Sequence, residues 1–236
     1  MEDRRWWLTR RAALRVALRG SVAAAGLLAA ATPRMAGAAS GDSLVPRTPP
    51  PPVRFDVIRA GSVIGRHDVN FVPADSGYNV RTLIDITVRM LGIKVFEYHH
   101  DGTETWRAGR LRAFESQTQD DDSDFFVNGH ATDDGFRITN RKDTVMAPAD
   151  IMVGSYWTPE IARRPLLIDP QRGRLKDQTL LGTDSLSVDV DGKAVSAIRY
   201  RLIGVTDGWV AYDDRGRWLA AELKKKGSDI FYRLRP

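Results

Sequence analysis

Between Val80 and Thr118 the chain alternates. Ile84, Ile86, Val88 and Met90 are separated by Asp85, Thr87 and Arg89, and a second arm runs from Ile93 to Trp106. A period of two is that of a strand with one apolar and one wet face. Successive arms of this kind, joined by short turns, must hide the apolar face by curling on themselves or by stacking on a second layer.

The same rhythm extends over most of the chain. Phe55 and Val57 lead through Ala60-Gly61 to Val63, Val69 and Phe71, with Gly65 as a bulge or close-approach point. Ala108-Gly109 is a turn, Asp120 to Asp124 a hairpin tip, and Asp133-Asp134-Gly135 another turn between Phe125–Thr132 and Phe136–Asn140. Asp101-Gly102 is consistent with either a tight turn or a bulge in one long strand. Thr158-Pro159-Glu160 opens a helix that Pro165 soon ends. Strands resume at Leu175–Leu181, Leu186–Val190, Val195–Ile203, Trp209–Tyr212, Trp218–Leu223 and Ile230–Leu234. Turn signals every 8 to 12 residues or so are the all-β signature. The expected fold is a curved antiparallel sheet forming a partly or fully closed barrel with one short helix, and a two-layer sandwich is the alternative.

Residues 1–38 read as a signal peptide, with a basic start, a weakly apolar centre from Gly20 to Ala31 and the small-residue pattern Ala36-Gly37-Ala38. Arg10-Arg11 resembles a twin-arginine signal, although Ala13 stands where an aromatic residue is usual; the general secretory route is the other reading. The apolar centre is only about half of the roughly 20 residues a spanning helix needs. Residues 39–52 form a proline-rich linker ending in Pro49 to Pro52, and 53–236 form a single β domain. A periplasmic or extracellular location follows, with membrane contact only through the signal or an uncleaved anchor. The formal charge of +5 belongs to the N-terminus, because residues 1–38 hold seven of the 35 basic and two of the 30 acidic residues, leaving 28 of each beyond. A neutral body argues against nucleic acid as a partner. Cysteine is absent, which excludes thiol catalysis, cysteine-ligated zinc and acylation at a lipobox.

The series Phe55-Asp56-Val57, Trp106-Arg107-Ala108-Gly109-Arg110-Leu111, Tyr156-Trp157, Gly173-Arg174-Leu175 and Tyr212-Asp213 with Gly216-Arg217-Trp218-Leu219 resembles a bacterial exported family known only as a domain of unknown function. More distantly it is similar to the periplasmic lipoprotein-localisation factors. That second similarity implies an unclosed barrel around an apolar cavity for acyl chains, and a role in hydrophobic-ligand binding or envelope assembly. It implies no catalytic residue.

The residues themselves offer few sites. His99, His100 and Glu104 are the best acid-base or metal constellation, but neighbours on a strand face opposite ways, so an extended backbone leaves only His100 and Glu104 together. Asp120, Asp122 and Asp124 copy part of a calcium loop, yet Phe125 and Ala131 occupy its glycine and glutamate positions. Ser155 with His67 or His130 as base lacks a nucleophile-elbow pattern. Lys224-Lys225-Lys226 reads as a solvated turn, with anionic lipid as the other use. Trp106, Trp157, Trp209 and Trp218 suit either a cavity wall or the end of a β core. A ligand site is therefore expected on the inner face, from Ile84, Ile86, Val88 and Met90 with Trp106, Tyr156 and Trp157, the last two beside a helix that lids the barrel mouth. The expected function is non-enzymatic: binding of a lipid or other hydrophobic molecule, or of an envelope protein, with no cofactor and no metal. The alternatives are a hydrolase centred on His99, His100 and Glu104, and a structural interaction module with a filled core.

Overall fold

The computed structural model describes residues 45–225 and 227–235, so the expected signal peptide and Lys226 lie outside the described residues. Eight strands form the first run: β1 (Val53–Arg59), β2 (Ser62–Ala74), β3 (Gly77–Met90), β4 (Ile93–Arg107), β5 (Arg110–Asp120), β6 (Ser123–Thr132), β7 (Gly135–Asn140) and β8 (Thr144–Ala147). An insertion follows, made of β9 (Met152–Val153), α1 (Pro159–Arg163), β10 (Leu166–Ile168) and β11 (Leu175–Asp177). The chain closes with β12 (Thr179–Val190), β13 (Lys193–Ile203), β14 (Gly208–Tyr212), β15 (Trp218–Lys225) and β16 (Ser228–Leu234).

Among the described residues the fold is all-β apart from α1. Thirteen strands form one antiparallel sheet in the order β12-β13-β14-β15-β16-β1-β2-β3-β4-β5-β6-β7-β8, and β9, β10 and β11 form a second, small one. β1 lies in the middle and pairs with β16, so both ends of the described chain meet at the centre of the sheet. The order is linear, with β8 and β12 as its two edges. This is the partly closed form of the expected barrel, and the insertion occupies the interior between its arms. Ser116 Oγ on β5 donates to Pro170 O at 2.6 Å, and Tyr212 Oη on β14 donates to Tyr156 O at 2.7 Å, so the insertion is tied to both halves.

Alternation decides what faces inward. Along β4, His100, Gly102, Glu104 and Trp106 are buried while the residues between them are partly exposed. β4 is one continuous strand, so Asp101-Gly102 is neither turn nor bulge; the β4–β5 register shift falls at Thr105/Trp106. Gly65 is a point of close approach: a Cβ there would stand 2.0 Å from Asp85 O on β3, and the β1–β2 register shifts beside it. Leu91-Gly92 turns β3 into β4 with φ of 50° and 83°, the two positive values of a type I′ hairpin.

Four details differ from the pattern-based expectation. Leu175–Leu181 is not one strand: Gln178 leaves the ladder, its side chain donating to the carbonyls of Ile161 and Arg164 and accepting from Tyr156 Oη. β12 in turn runs unbroken through Gly182 to Val190 by pairing with β13, despite polar residues in its middle. Strands β8, β9 and β10 carry two to four residues each, too few to show a period. The proline-rich linker does not stand away from the body at Val45-Pro46, where Val45 is buried and Tyr78 Oη donates to Pro46 O at 2.9 Å. The helix begins as expected, with Thr158 at the N-cap and Pro159 at its first turn, although the Thr158 side chain makes no capping bond.

Candidate functional site

Strand register builds the site in layers. Across β2, β3, β4 and β5, His67 stands opposite Ile84, Ile84 opposite His100 and His100 opposite Thr118. Paired residues share a face, so this row places two imidazoles on the inner wall with Ile84 between them. Ile86 pairs with Tyr98 one layer towards the Leu91-Gly92 turn. Thr82 pairs with Gly102, and Val80 with Glu104, in the layers on the other side. Tyr78 and Trp106 form the last layer. At about 3.3 Å per residue, Val88 and Val80 are roughly 26 Å apart along β3.

This interior is not filled. A cavity of about 640 Å³ is walled by Ile64, Ile84, Ile86 and Val88 of β2 and β3, by Trp218, Leu223, Ile230 and Tyr232 of β15 and β16, and by Val153 to Tyr156 of the insertion. Among its exposed lining residues, Arg59, Val95, Asp121 and Lys225 each sit beside a turn at one end of the sheet, which marks a mouth there. The far end is closed by aromatic rings: Trp157 packs edge-on against Phe71, Tyr78 and Trp106 with centroids 5.5–6.0 Å apart.

At that floor lies Glu104, 2% exposed. Its Oε1 accepts from Ser155 Oγ at 2.6 Å, and its Oε2 accepts from Trp106 Nε1 at 2.9 Å and Trp157 Nε1 at 3.4 Å. Burial disfavours the ionised form more than these three donors favour it, and the carboxyl is pushed up to about 7. His100 Nδ1 and Thr118 Oγ1 share a 2.7 Å hydrogen bond, and burial pulls the imidazole down to about 4. Gly102 makes room for this ring, since a Cβ there would come within 2.8 Å of His100 Nε2. His67 sits in a box of Phe55, Trp218 and Tyr232, with ring centroids 5.3–6.2 Å away. Neither of its nitrogens has a hydrogen-bond partner, and desolvation, with His100 adding to it, lowers its pKa to about 3.

The structure divides the residues singled out by sequence. Ile84, Ile86, Val88 and Tyr156 line the cavity, as do His100 and Glu104. His99 is on the outer face, 2.5 Å from Asp85 Oδ1, so the His99, His100 and Glu104 constellation is not assembled. Met90, 65% exposed, lies past the cavity wall on the strand end, where the β3–β4 register shifts at Val88/Arg89. Trp106 and Trp157 are buried in the floor, bonding Glu104. The helix belongs to that closed end as well: Pro159 packs near Gly216 in the β14–β15 turn, so α1 does not lid the mouth. Ser155 bonds Glu104 and not a histidine, and His130 is exposed. Asp121 Oδ1 accepts from the Glu97 backbone N–H and Asp120 Oδ2 from Gln171 Nε2, contacts that tie hairpins and insertion together. Among the described residues no cluster of three or more His, Asp or Glu side chains could hold a metal ion. Sequence reasoning missed His67 as a companion of His100. Its parity with Val69 and Phe71 is the signal that marks it as inward-facing.

A solved structure similar to this chain is a β-barrel-like protein of the domain of unknown function DUF1849 from Brucella abortus, with a TM-score of 0.57 and 12% identity, covering 78% of this chain and 94% of that one. That likeness concerns the fold. No curated protein matches the chain. A family match runs from residue 55 to 235, from the middle of β1 to just past the end of β16, and thus takes in every element that walls the cavity: the chain belongs to the family of the domain of unknown function DUF6134.

Proposed function

We propose that this protein is an exported, non-enzymatic binding protein that holds a lipid or other apolar molecule inside its curved sheet. The observation that carries the reading is the cavity. At about 640 Å³ it falls within the roughly 300–1,000 Å³ of small-molecule sites. Ile84, Ile86, Val88, Leu223 and Ile230 give it apolar walls, and its mouth opens at one end of the sheet. Removing apolar ligand surface from water contributes about 25 cal/mol per Å², so such walls favour a hydrocarbon body. The resemblance to periplasmic lipoprotein-localisation factors points the same way. A core left open in this manner is not what a purely structural module needs.

The test is direct. The natively purified chain is extracted with organic solvent and the extract analysed by mass spectrometry, and the delipidated protein is titrated with the uncharged fluorophore N-phenyl-1-naphthylamine. An apolar molecule recovered near stoichiometry, and saturable fluorophore binding abolished by Ile84→Arg, are the expected results. Absence of both a co-purified apolar molecule and saturable binding would refute the reading.

A further inference from the structure

The polar groups of the inner wall say more about the ligand than its hydrocarbon part does. His67 is 5% exposed and Thr206 4%; both line the cavity, and His67 Nδ1, His67 Nε2 and Thr206 Oγ1 are all without a hydrogen-bond partner. Leaving a buried donor or acceptor unmatched costs about 1–3 kcal/mol, so an orphaned imidazole facing a cavity is a group that a ligand can satisfy. His100 faces the same space. Its Nδ1 is engaged by Thr118, which leaves the opposite ring edge towards Gly102 and the cavity. β2 and β4 are separated only by β3, so their backbones lie roughly 10 Å apart and the two rings flank one position above Ile84.

Charge restricts what can sit there. The cationic side chains that line the cavity, Arg59, Arg172, Lys176 and Lys225, are all on exposed residues, and none belongs to the buried wall. An anion at His67 would therefore lose its water without gaining a cation. A ligand cation fares no better, because the nearest buried acid, Glu104, is already engaged by Ser155, Trp106 and Trp157. Both imidazoles are held neutral by burial. A neutral imidazole donates at one nitrogen and accepts at the other, and its natural partner is a group that does both.

Resting on the ligand-binding reading above, we infer that the ligand is an uncharged amphiphile whose hydroxyl is seated against His67 and His100, with its hydrocarbon body along Ile84, Ile86 and Val88. The class is an apolar alcohol, in preference to a fatty-acid anion or a plain hydrocarbon.

The experiment displaces N-phenyl-1-naphthylamine from the full chain at pH 7.5 with 1-decanol, decanoate and decane. Decanol should displace at about three- to tenfold lower concentration than either of the others. His67→Phe keeps the aromatic box and should erase the difference between decanol and decane, read as the ratio of their displacing concentrations within that variant. With 15N-histidine labelling, decanol but not decane should shift the ring resonances of His67 in the unsubstituted protein, a readout that does not depend on the variant folding. Equal displacement by decanol and decane, decanoate as the best competitor, or an alcohol preference that survives His67→Phe would overturn the inference while the cavity reading stands. Absence of fluorophore binding altogether would sink the cavity reading first, and this inference with it.

Discussion

Glu104→Gln tests a carboxyl that the fold holds in a desolvated place. The substitution keeps the shape. The glutamine carbonyl can accept from Trp106 and its amide can donate to Ser155 Oγ, as a protonated carboxyl would. In the unfolded chain this carboxyl loses its proton around pH 4.5, whereas in the folded protein it keeps it up to about 7. The folded state therefore binds more protons between these values, and its stability falls as pH rises through that window. At about 1.36 kcal/mol per unit, the shift amounts to about 3 kcal/mol above pH 7. Glutamine does not titrate. Urea unfolding of both proteins from pH 4.5 to 8 should thus show near-equal stability at the acid end and a gap opening to about 3 kcal/mol in favour of the variant at pH 8, or about 6–12 °C in Tm for a domain of this size. His67 and His100 are present in both proteins, so their contributions cancel in the difference. Parallel pH profiles would refute the argument, because the carboxyl would then be no harder to ionise inside than outside.

At the acid end, His67 and His100 are the groups that matter. Their folded pKa values, about 3 and 4, lie below the unfolded 6.5, so stability is lost as pH falls from about 6.5 towards 4. His67→Phe should flatten that limb by up to about 3 kcal/mol at pH 4, read by chemical denaturation at several pH values. Gly102→Ala presses a methyl against His100 Nε2 and should cost about 1–3 kcal/mol while breaking the bond to Thr118, seen as loss of stability and a shift in the His100 ring resonances. Tyr212→Phe removes a buried bond to the insertion and should cost about 1 kcal/mol, with faster amide exchange confined to the insertion. Leu91 is fully exposed and sits at φ 50°, a left-handed backbone that asparagine tolerates better, so Leu91→Asn should raise the unfolding midpoint slightly.

Much of the sheet was legible in the sequence because its strands are long and half-buried. Ile84, Ile86 and Val88 alternate with polar residues for the simple reason that one face meets the interior and the other water, and Ala60-Gly61, Ala108-Gly109 and Asp191-Gly192 mark the hairpins between such arms. The insertion was far less legible. Met152-Val153 and Leu167-Ile168 are buried, and a run of two or three apolar residues has no period to read. The site was legible in its parts and not in its assembly. Extended geometry correctly separates His99 from His100 and joins His100 to Glu104. What unites His67 with His100 is the register of β2 on β3 and of β3 on β4, a long-range fact that no local pattern contains. Trp106 and Trp157 show the same limit: their size marks them as buried, but only the tertiary structure decides between a wall and a floor.

The edge strands β8 and β12 bear on how such a fold diversifies. In a closed barrel, strand number and stagger fix the diameter, so changing the bore requires changing the ladder. Here the two arms are joined by the chain that runs between the edges, and Ser116 and Tyr212 tie them to the backbone of that insertion at Pro170 O and Tyr156 O. A few substitutions in the insertion can resize the interior while every strand keeps its partner. Selectivity can then drift independently of the scaffold, by exchange of a plug and not by redesign of a wall.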